Sequence, residues 1–213
     1  MKNIILASAS PRRKVLLQCM GLDFDIIPSN FEEYLDDKRT PEEVAIELGL
    51  GKANDVAKDY PESYVIGSDL IIVVDGKQIA KPETEKEAYE MLRLLNNRIH
   101  DAIASVAVVN QAKHIVETDA AKVLITFDKI PEDVILAYIA TGDPYDKAGG
   151  YARLHPLLAP YIHTSGDAHA LVGMSTIQLR KILVKLGIPV PNDDKTTTAL
   201  FDASDLRDQH ILH

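Results

Sequence analysis

Cysteine is nearly missing: Cys19 alone occurs among 213 residues, so no disulfide can close within the chain. That scarcity fits a reducing compartment and disfavours the disulfide-stapled secreted class. Positive charge is also short, with 23 Lys and Arg against 32 Asp and Glu, a net charge of −9. A nucleic-acid polymer needs a basic face, and this composition argues against one; a small anion can still be held where positive charge is local. No apolar run reaches the ~20 residues of a membrane span. The expectation is a cytoplasmic protein that neither spans nor sits on a membrane. The GxxxxGK[ST] loop, the GxGxxG fingerprint, GxSxG and HExxH are all absent, which removes the P-loop, dinucleotide-binding, nucleophile-elbow and zincin readings. The seven histidines show no metal-ligand spacing.

What is present can build a core: 46% of the residues are apolar. Asn3–Ala7 reads as a short buried strand and Pro11–Met20 as a helix, with Ser10 as cap, Pro11 in the first turn and Gly21 past the end. Phe24–Ile27 reads as a strand, and Pro41 to about Ala57 as a helix with the capping box Thr40 and Glu43. Tyr64–Val74 is the most apolar strand pattern, and Asp75-Gly76 turns it into Lys77–Ala80. Thr84 and Glu87 form a second capping box, before a helix with Ala88, Met91, Leu92 and Leu95 on one face. Ala102–Val109 and His114–Phe127 suit a long antiparallel pair, and Pro131–Ala140 and Thr176–Leu186 suit helices. Between these last two helices a Gly- and Pro-rich loop runs from Thr141 to about Pro160. With no repeat and no clear linker, the expectation is one α/β domain over 1–190. It would hold an elongated mixed sheet flanked by helices, in two lobes around a cleft, and 191–213 would be a loosely held tail.

The segment Ile4-Ile5-Leu6-Ala7-Ser8-Ala9-Ser10-Pro11-Arg12-Arg13 departs from ordinary packing. A strand that feeds a helix at Pro11 gathers unpaired backbone N–H groups and the hydroxyls of Ser8 and Ser10 at one point, which makes an anion site. Arg12, Arg13 and Lys14 sit where a cation opposes the helix dipole by about 0.3–1 kcal/mol each. A bound phosphate removes that conflict. The alternative is a simple cap at Ser10 with solvated arginines, which leaves Ser8 unexplained.

Asp69 interrupts an otherwise apolar strand, and Gly67-Ser68 before it suggests a bulge that re-aims its side chain. An isolated buried carboxylate costs several kcal/mol, so Asp69 must be paired, metal-bound or at an open end. It is either a metal ligand or base for water, or a local structural cap. Lys52 lies on the stripe of Val44, Leu48 and Val56, and either snorkels or points into a cleft. Lys81-Pro82 closes the hairpin strand. Glu32, Glu33, Asp36 and Asp37 form an acidic loop that would ordinarily be solvated. Cations that hold a polyphosphate and carboxylates that carry a divalent ion suit phosphoryl chemistry.

This ordered set resembles the Maf-like nucleoside triphosphate pyrophosphatase family. The resemblance is carried by LASASPRR, Glu33 in NFEE, Lys52 in GLGKA, Asp69 in VIGSDLIIV, Lys81-Pro82 in IAKPET, Asn97-Arg98-Ile99-His100 and Asp146-Lys147-Ala148-Gly149-Gly150-Tyr151, across about residues 3–188. It implies an elongated α/β fold related to the inosine triphosphate pyrophosphatases, with a nucleotide in the cleft. It also implies hydrolysis of nucleoside triphosphates to monophosphate and pyrophosphate with Mg²⁺ or Mn²⁺, clearing non-standard nucleotides. By position, Ser8, Arg12, Arg13, Lys52 and Lys81 would hold phosphates, Glu33 would bind metal, and Asp69 would activate water or bind metal.

The chain departs from the family pattern at Leu70 (often Thr), at Asn96-Asn97 before Arg98 (often Ser-Gly), at Ala152-Arg153-Leu154 (often Ile-Gln-Gly) and at Gly173-Met174-Ser175 (often Gly-Leu-Pro). The third segment is associated with base selection in the family, so the preferred base stays open. A nucleotide-responsive regulator of septum formation with little turnover is the alternative from the binding class, and a sugar-phosphate hydrolase is a third reading. Whether the chain forms a homodimer is open as well.

Overall fold

A computed structural model describes residues 3–204. In chain order the elements are β1 (Ile4–Leu6), α1 (Pro11–Cys19), β2 (Asp25–Ile26), α2 (Pro41–Ala57), β3 (Tyr64–Gly67), β4 (Leu70–Val74), β5 (Lys77–Ile79), α3 (Glu85–Leu95), β6 (Ile99–Asn110), β7 (Ile115–Phe127), α4 (Glu132–Ile139), β8 (Ile162–Ser165), α5 (Thr176–Lys185) and α6 (Asp194–Asp202). The strands form one mixed sheet in the order β2-β1-β3-β6-β4-β5, with β7 pairing β6 and β8 pairing β7. β1 runs parallel to β2 and β3, and every other pairing is antiparallel. β6 is the spine: β3 and β4 share one of its edges and β7 runs along the other.

Side-chain alternation explains the layers, since successive strand residues point to opposite faces. Ile5, Val65, Ile71, Val73 and Ile103 pack on α2, which covers one face through Val44, Leu48, Ala53 and Val56. Their neighbours Ile4, Leu6, Ile66, Val106 and Val108 pack on the other face with Leu16 and Leu17 of α1 and Leu179, Ile182 and Leu183 of α5. Farther along that face, Ile72, Val74, Ala102 and Ile125 pack with Leu92 and Leu95 of α3 and with Ile135, Tyr138 and Ile139 of α4. Each fully buried Leu, Ile or Phe in these clusters contributes roughly 1.5–3 kcal/mol.

Four sequence expectations change. The apolar run Tyr64–Val74 is two strands. Gly67 pairs with Ala107 and Leu70 with Ala104, so Ser68 and Asp69 face an equal number of residues on β6 and no bulge residue is inserted. The second capping box is half formed: Thr84 accepts from Glu87 N at 3.2 Å, while the Glu87 carboxylate accepts from Glu83 N at 2.8 Å rather than from Thr84. The Gly- and Pro-rich loop contains tight turns at Asp143–Asp146 and Ala148–Gly150, and it delivers β8, which extends the sheet beyond β7. The expected tail contains α6, whose Phe201 is buried against the cluster built on α1 and α5; residues 205–213 lie outside the described residues.

Candidate active site

A cleft of about 860 Å³ opens where the two larger clusters meet. Leu154, Val172 and Phe201 of the first cluster wall one side, and Ile72, Ala148 and Tyr151 of the second wall the other. Its size and mixed lining suit a small-molecule ligand. Ser10, Arg12, Arg13, Glu33, Lys52, Asp69 and Lys81 all line it. Ser8, itself buried, touches this group through Arg13.

The centre is a chain of alternating charge. Val65, Gly67, Ile71 and Val73 face α2, and Asp69, of the same parity, meets Lys52 of that helix at the break between β3 and β4. Close approach is required: a Cβ on Gly67 would stand 2.1 Å from the Gly49 carbonyl oxygen and 2.7 Å from Ala53 N, so only glycine lets α2 sit this near the strand. Lys52 is 8% exposed and Asp69 6%. The Lys52 ammonium donates to Asp69 Oδ1 and, at 2.6 Å, to Glu33 Oε1, and Lys81 Nζ donates to Glu33 Oε2 at 2.6 Å. Burial pushes the Glu33 carboxyl up, but the hydrogen bonds and charges of Lys52 and Lys81 overcome it and bring its pKa to about 2. Lys52 therefore does not snorkel, Asp69 is not a local cap, and Glu33 leaves the acidic loop to enter the cleft.

The α1 end supplies one wall of the cleft through Ser10, Pro11, Arg12 and Arg13. Ser10 caps the helix, its Oγ accepting from Arg13 N at 3.5 Å, and Ser8 Oγ accepts from Ser10 N at 3.2 Å. Arg13 is held rather than solvated: Nη1 donates to Ser8 Oγ at 3.1 Å and Nε to the Gly173 carbonyl at 3.0 Å. Burial pulls its pKa down, with Asp69 and Glu33 opposing that shift and Arg12 adding to it. An arginine stays charged throughout. The same Gly173 carbonyl accepts from Ser68 Oγ at 2.7 Å, and Ser105 Oγ accepts from Asp69 N at 3.1 Å.

Sequence reading gave Ser68, Ser105 and Gly173 no place in the site: Ser68 entered only as part of an expected bulge and Gly173, which takes φ +113°, only as a departure from the family pattern. On the opposite wall Lys147 Nζ donates to the Asp143 carboxylate at 2.9 Å, and the Tyr151 hydroxyl lies 2.8 Å from His100 Nε2.

Among the described residues no group of three or more His, Cys, Asp or Glu is arranged to hold a metal. Glu33 and Asp69 nevertheless converge on one ammonium. Two carboxylates in a cleft also lined by Arg12 and Arg13 fit Mg²⁺ or Mn²⁺, which commonly bind one or two protein carboxylates and complete their coordination with phosphate oxygens and water.

Fold and site together define an α/β protein with a cleft that gathers Arg12, Arg13, Lys52 and Lys81 with the carboxylates of Glu33 and Asp69. The chain belongs to the Maf family, whose Maf-like protein model matches residues 3–186. It is similar to a dTTP/UTP pyrophosphatase of Dictyoglomus thermophilum, 38% identical over 187 residues, covering 87% of this chain and 97% of that one. Similar proteins of the same name occur in Methanosarcina mazei (38% over 193 residues, 89% and 97% covered) and Bacillus cereus (36% over 190 residues, 89% and 93% covered). Among solved structures the Staphylococcus aureus Ham1 protein aligns at 18% identity with a TM-score of 0.44, covering 59% of this chain and 72% of that one. No helix among the described residues is long and apolar enough to cross a membrane.

Proposed function

We propose that this chain hydrolyses nucleoside triphosphates between the α and β phosphates, releasing a nucleoside monophosphate and pyrophosphate. The observation that carries the reading is the Asp69–Lys52–Glu33–Lys81 chain facing Arg12 and Arg13 across one cleft. Ser10, Arg12, Arg13 and Lys81 hold phosphate oxygens, Ser8 holds the Arg13 guanidinium in place, and Lys52 orients the Asp69 carboxylate. Asp69 accepts a proton from the water that attacks one phosphorus of the α–β anhydride. The bridging P–O bond breaks as the new P–O bond forms, and the departing phosphate oxygen keeps the electron pair. Arg12, Arg13, Lys52 and Lys81 stabilise the charge that develops there.

A divalent ion held by Glu33 and Asp69 would supply neutralisation of the polyphosphate and polarisation of its oxygens. Such a substrate and the lone cysteine go with a cytoplasmic setting. The relatives' printed substrates, dTTP and UTP, are the first to assay, beside purine and modified triphosphates, because Leu70 and Ala152-Arg153-Leu154 alter the family pattern. Pure protein incubated with this panel and Mg²⁺ or Mn²⁺ is expected to release pyrophosphate from at least one member. No release from any member, with the metal confirmed present, defeats the proposal.

A further inference from the structure

α6 lies beyond the residues matched by the family model, yet it reaches the cleft. Its start is fixed by specific bonds. Asp193 caps it by accepting from Thr196 N at 2.7 Å, Arg180 of α5 donates to Asp194 at 2.6 Å, and the Asn192 amide donates to the Cys19 carbonyl at the end of α1 at 2.9 Å. The last turn then brings Phe201 to the cleft wall, 9% exposed, with its ring edge-on to His169 at 5.2 Å between centroids.

His169 opens the tight turn Ala170–Val172, and its carbonyl accepts from Val172 N at 3.1 Å. Across that turn its imidazole Nδ1 lies 2.7 Å from Thr176 Oγ1, at the start of α5. Directly after the turn comes Gly173, whose carbonyl accepts from both Arg13 Nε and Ser68 Oγ. The turn and the guanidinium are in close contact: a Cβ on Gly173 would stand 3.1 Å from Arg13 Nε. Packed atoms transmit displacement, so a shift of the turn becomes a shift of Arg13. Phe201 braces the turn from the side of α6, and removing its ring opens a cavity into which the turn can relax.

We propose that Phe201 is a positioning residue for Arg13, so that the C-terminal helix of this chain is a working part of the substrate site. The proposal rests on the reading above in so far as Arg13 grips a phosphate. A double-mutant cycle in the full-length protein tests it, with pyrophosphate release from the best substrate as the readout. F201A is expected to lower kcat/KM by about tenfold, chiefly through KM, the scale of a sub-ångström misplacement of a binding group. In an R13A background the same change is expected to alter kcat/KM by less than about twofold, since contacts that act as a unit are not additive. F201L, which refills most of the volume, is expected to recover most of the loss.

An equal factor for F201A in both backgrounds overturns the proposal, because a purely structural helix lowers folded protein without caring about Arg13. Unchanged kcat/KM in F201A overturns it as well. Should F201A fail to fold, F201V takes its place in the cycle. A wild-type protein that releases no pyrophosphate defeats the pyrophosphatase reading instead. The cycle is then read as the Kd for tripolyphosphate, where non-additivity supports the proposal and additivity overturns it.

Discussion

Lys52 places one charge between two carboxylates, and the outcome of a substitution depends on which partner is removed. Lys52→Met leaves Asp69 buried without its counter-charge. Breaking a buried pair from one side costs about 3–5 kcal/mol, and the half-open Glu33 side, which water can reach, favours the lower end. The urea midpoint should fall accordingly, and adding Asp69→Asn to Lys52→Met should restore part of it. Asp69→Asn alone removes the proposed proton acceptor while keeping the shape, so turnover should fall by about 10³-fold with nucleotide affinity retained. Full turnover in Asp69→Asn would exclude Asp69 as the proton acceptor. At the cleft mouth, Arg12→Glu reverses a charge that opposes the α1 dipole. Nucleotide KM should rise by at least about tenfold while stability stays within about 0.5 kcal/mol, the usual range for a substitution outside the core. A large loss of stability would mean that Arg12 is structural.

At the scale of elements, close approach of α2 to β3 sets the distance between Lys52 and Asp69. Gly67→Ala drives a methyl into the Gly49 carbonyl, and because both sides of that contact are backbone, the helix has to move. A cost of about 3 kcal/mol is expected from such overpacking, with activity falling further than the folded fraction does because Lys52 moves with α2. Equal losses of activity and folded protein would show that the helix relaxes without disturbing the pair. Helix starts were legible from the residues because caps are local: Ser10, Thr40 with its partner Glu43, and Thr84 all cap the helices expected of them. Asp69 was legible because a carboxylate in an apolar strand needs a reason.

The interruption at Ser68-Asp69 read as a bulge rather than as a break between two strands, since the residues on both sides of it are apolar and pair with the same β6. Glu33 read as solvated because its partners, Lys52 and Lys81, arrive from elements 19 and 48 residues away. Gly173 reaches Arg13 across 160 residues, and Phe201 belongs to a segment whose polarity hid one buried edge. Local pattern carried the elements and the ends of the phosphate wall; contacts between distant segments carried the rest.

For the whole molecule, the dependence of stability on pH follows from histidines buried in neutral form. Burial pulls His100 from 6.5 to about 4, with Asp101 opposing more weakly. Its Nε2 faces the Tyr151 hydroxyl, its ring is edge-on to Phe127 at 5.0 Å between centroids, and its Nδ1 is buried without a hydrogen-bond partner among the described residues. A cationic imidazole must donate from both nitrogens, and Nδ1 has no acceptor here. Between pH 6.5 and 4 the unfolded chain binds a proton that the folded chain refuses, so stability is complete above 6.5 and is lost as pH falls through this window. The gap between 6.5 and about 4 corresponds to roughly 3–4 kcal/mol once pH has fallen through the whole window.

Burial lowers His169 too, which adds to the same slope. The carboxylates held below their usual range titrate lower, Glu33 near 2, so a comparison at pH 7 and pH 5 reports mainly the histidines. His100→Gln should make the fall in urea midpoint between those two values clearly shallower while leaving the His169 share. Because His100 stays neutral in the folded chain over the same interval, substrate KM should follow the same pH course in the wild type and in His100→Gln, although its partner Tyr151 walls the cleft. Parallel curves of stability against pH for the two proteins would show that His100 titrates equally in the folded and unfolded chains, and a KM that diverges between them above pH 5 would show that the folded chain takes up the proton after all.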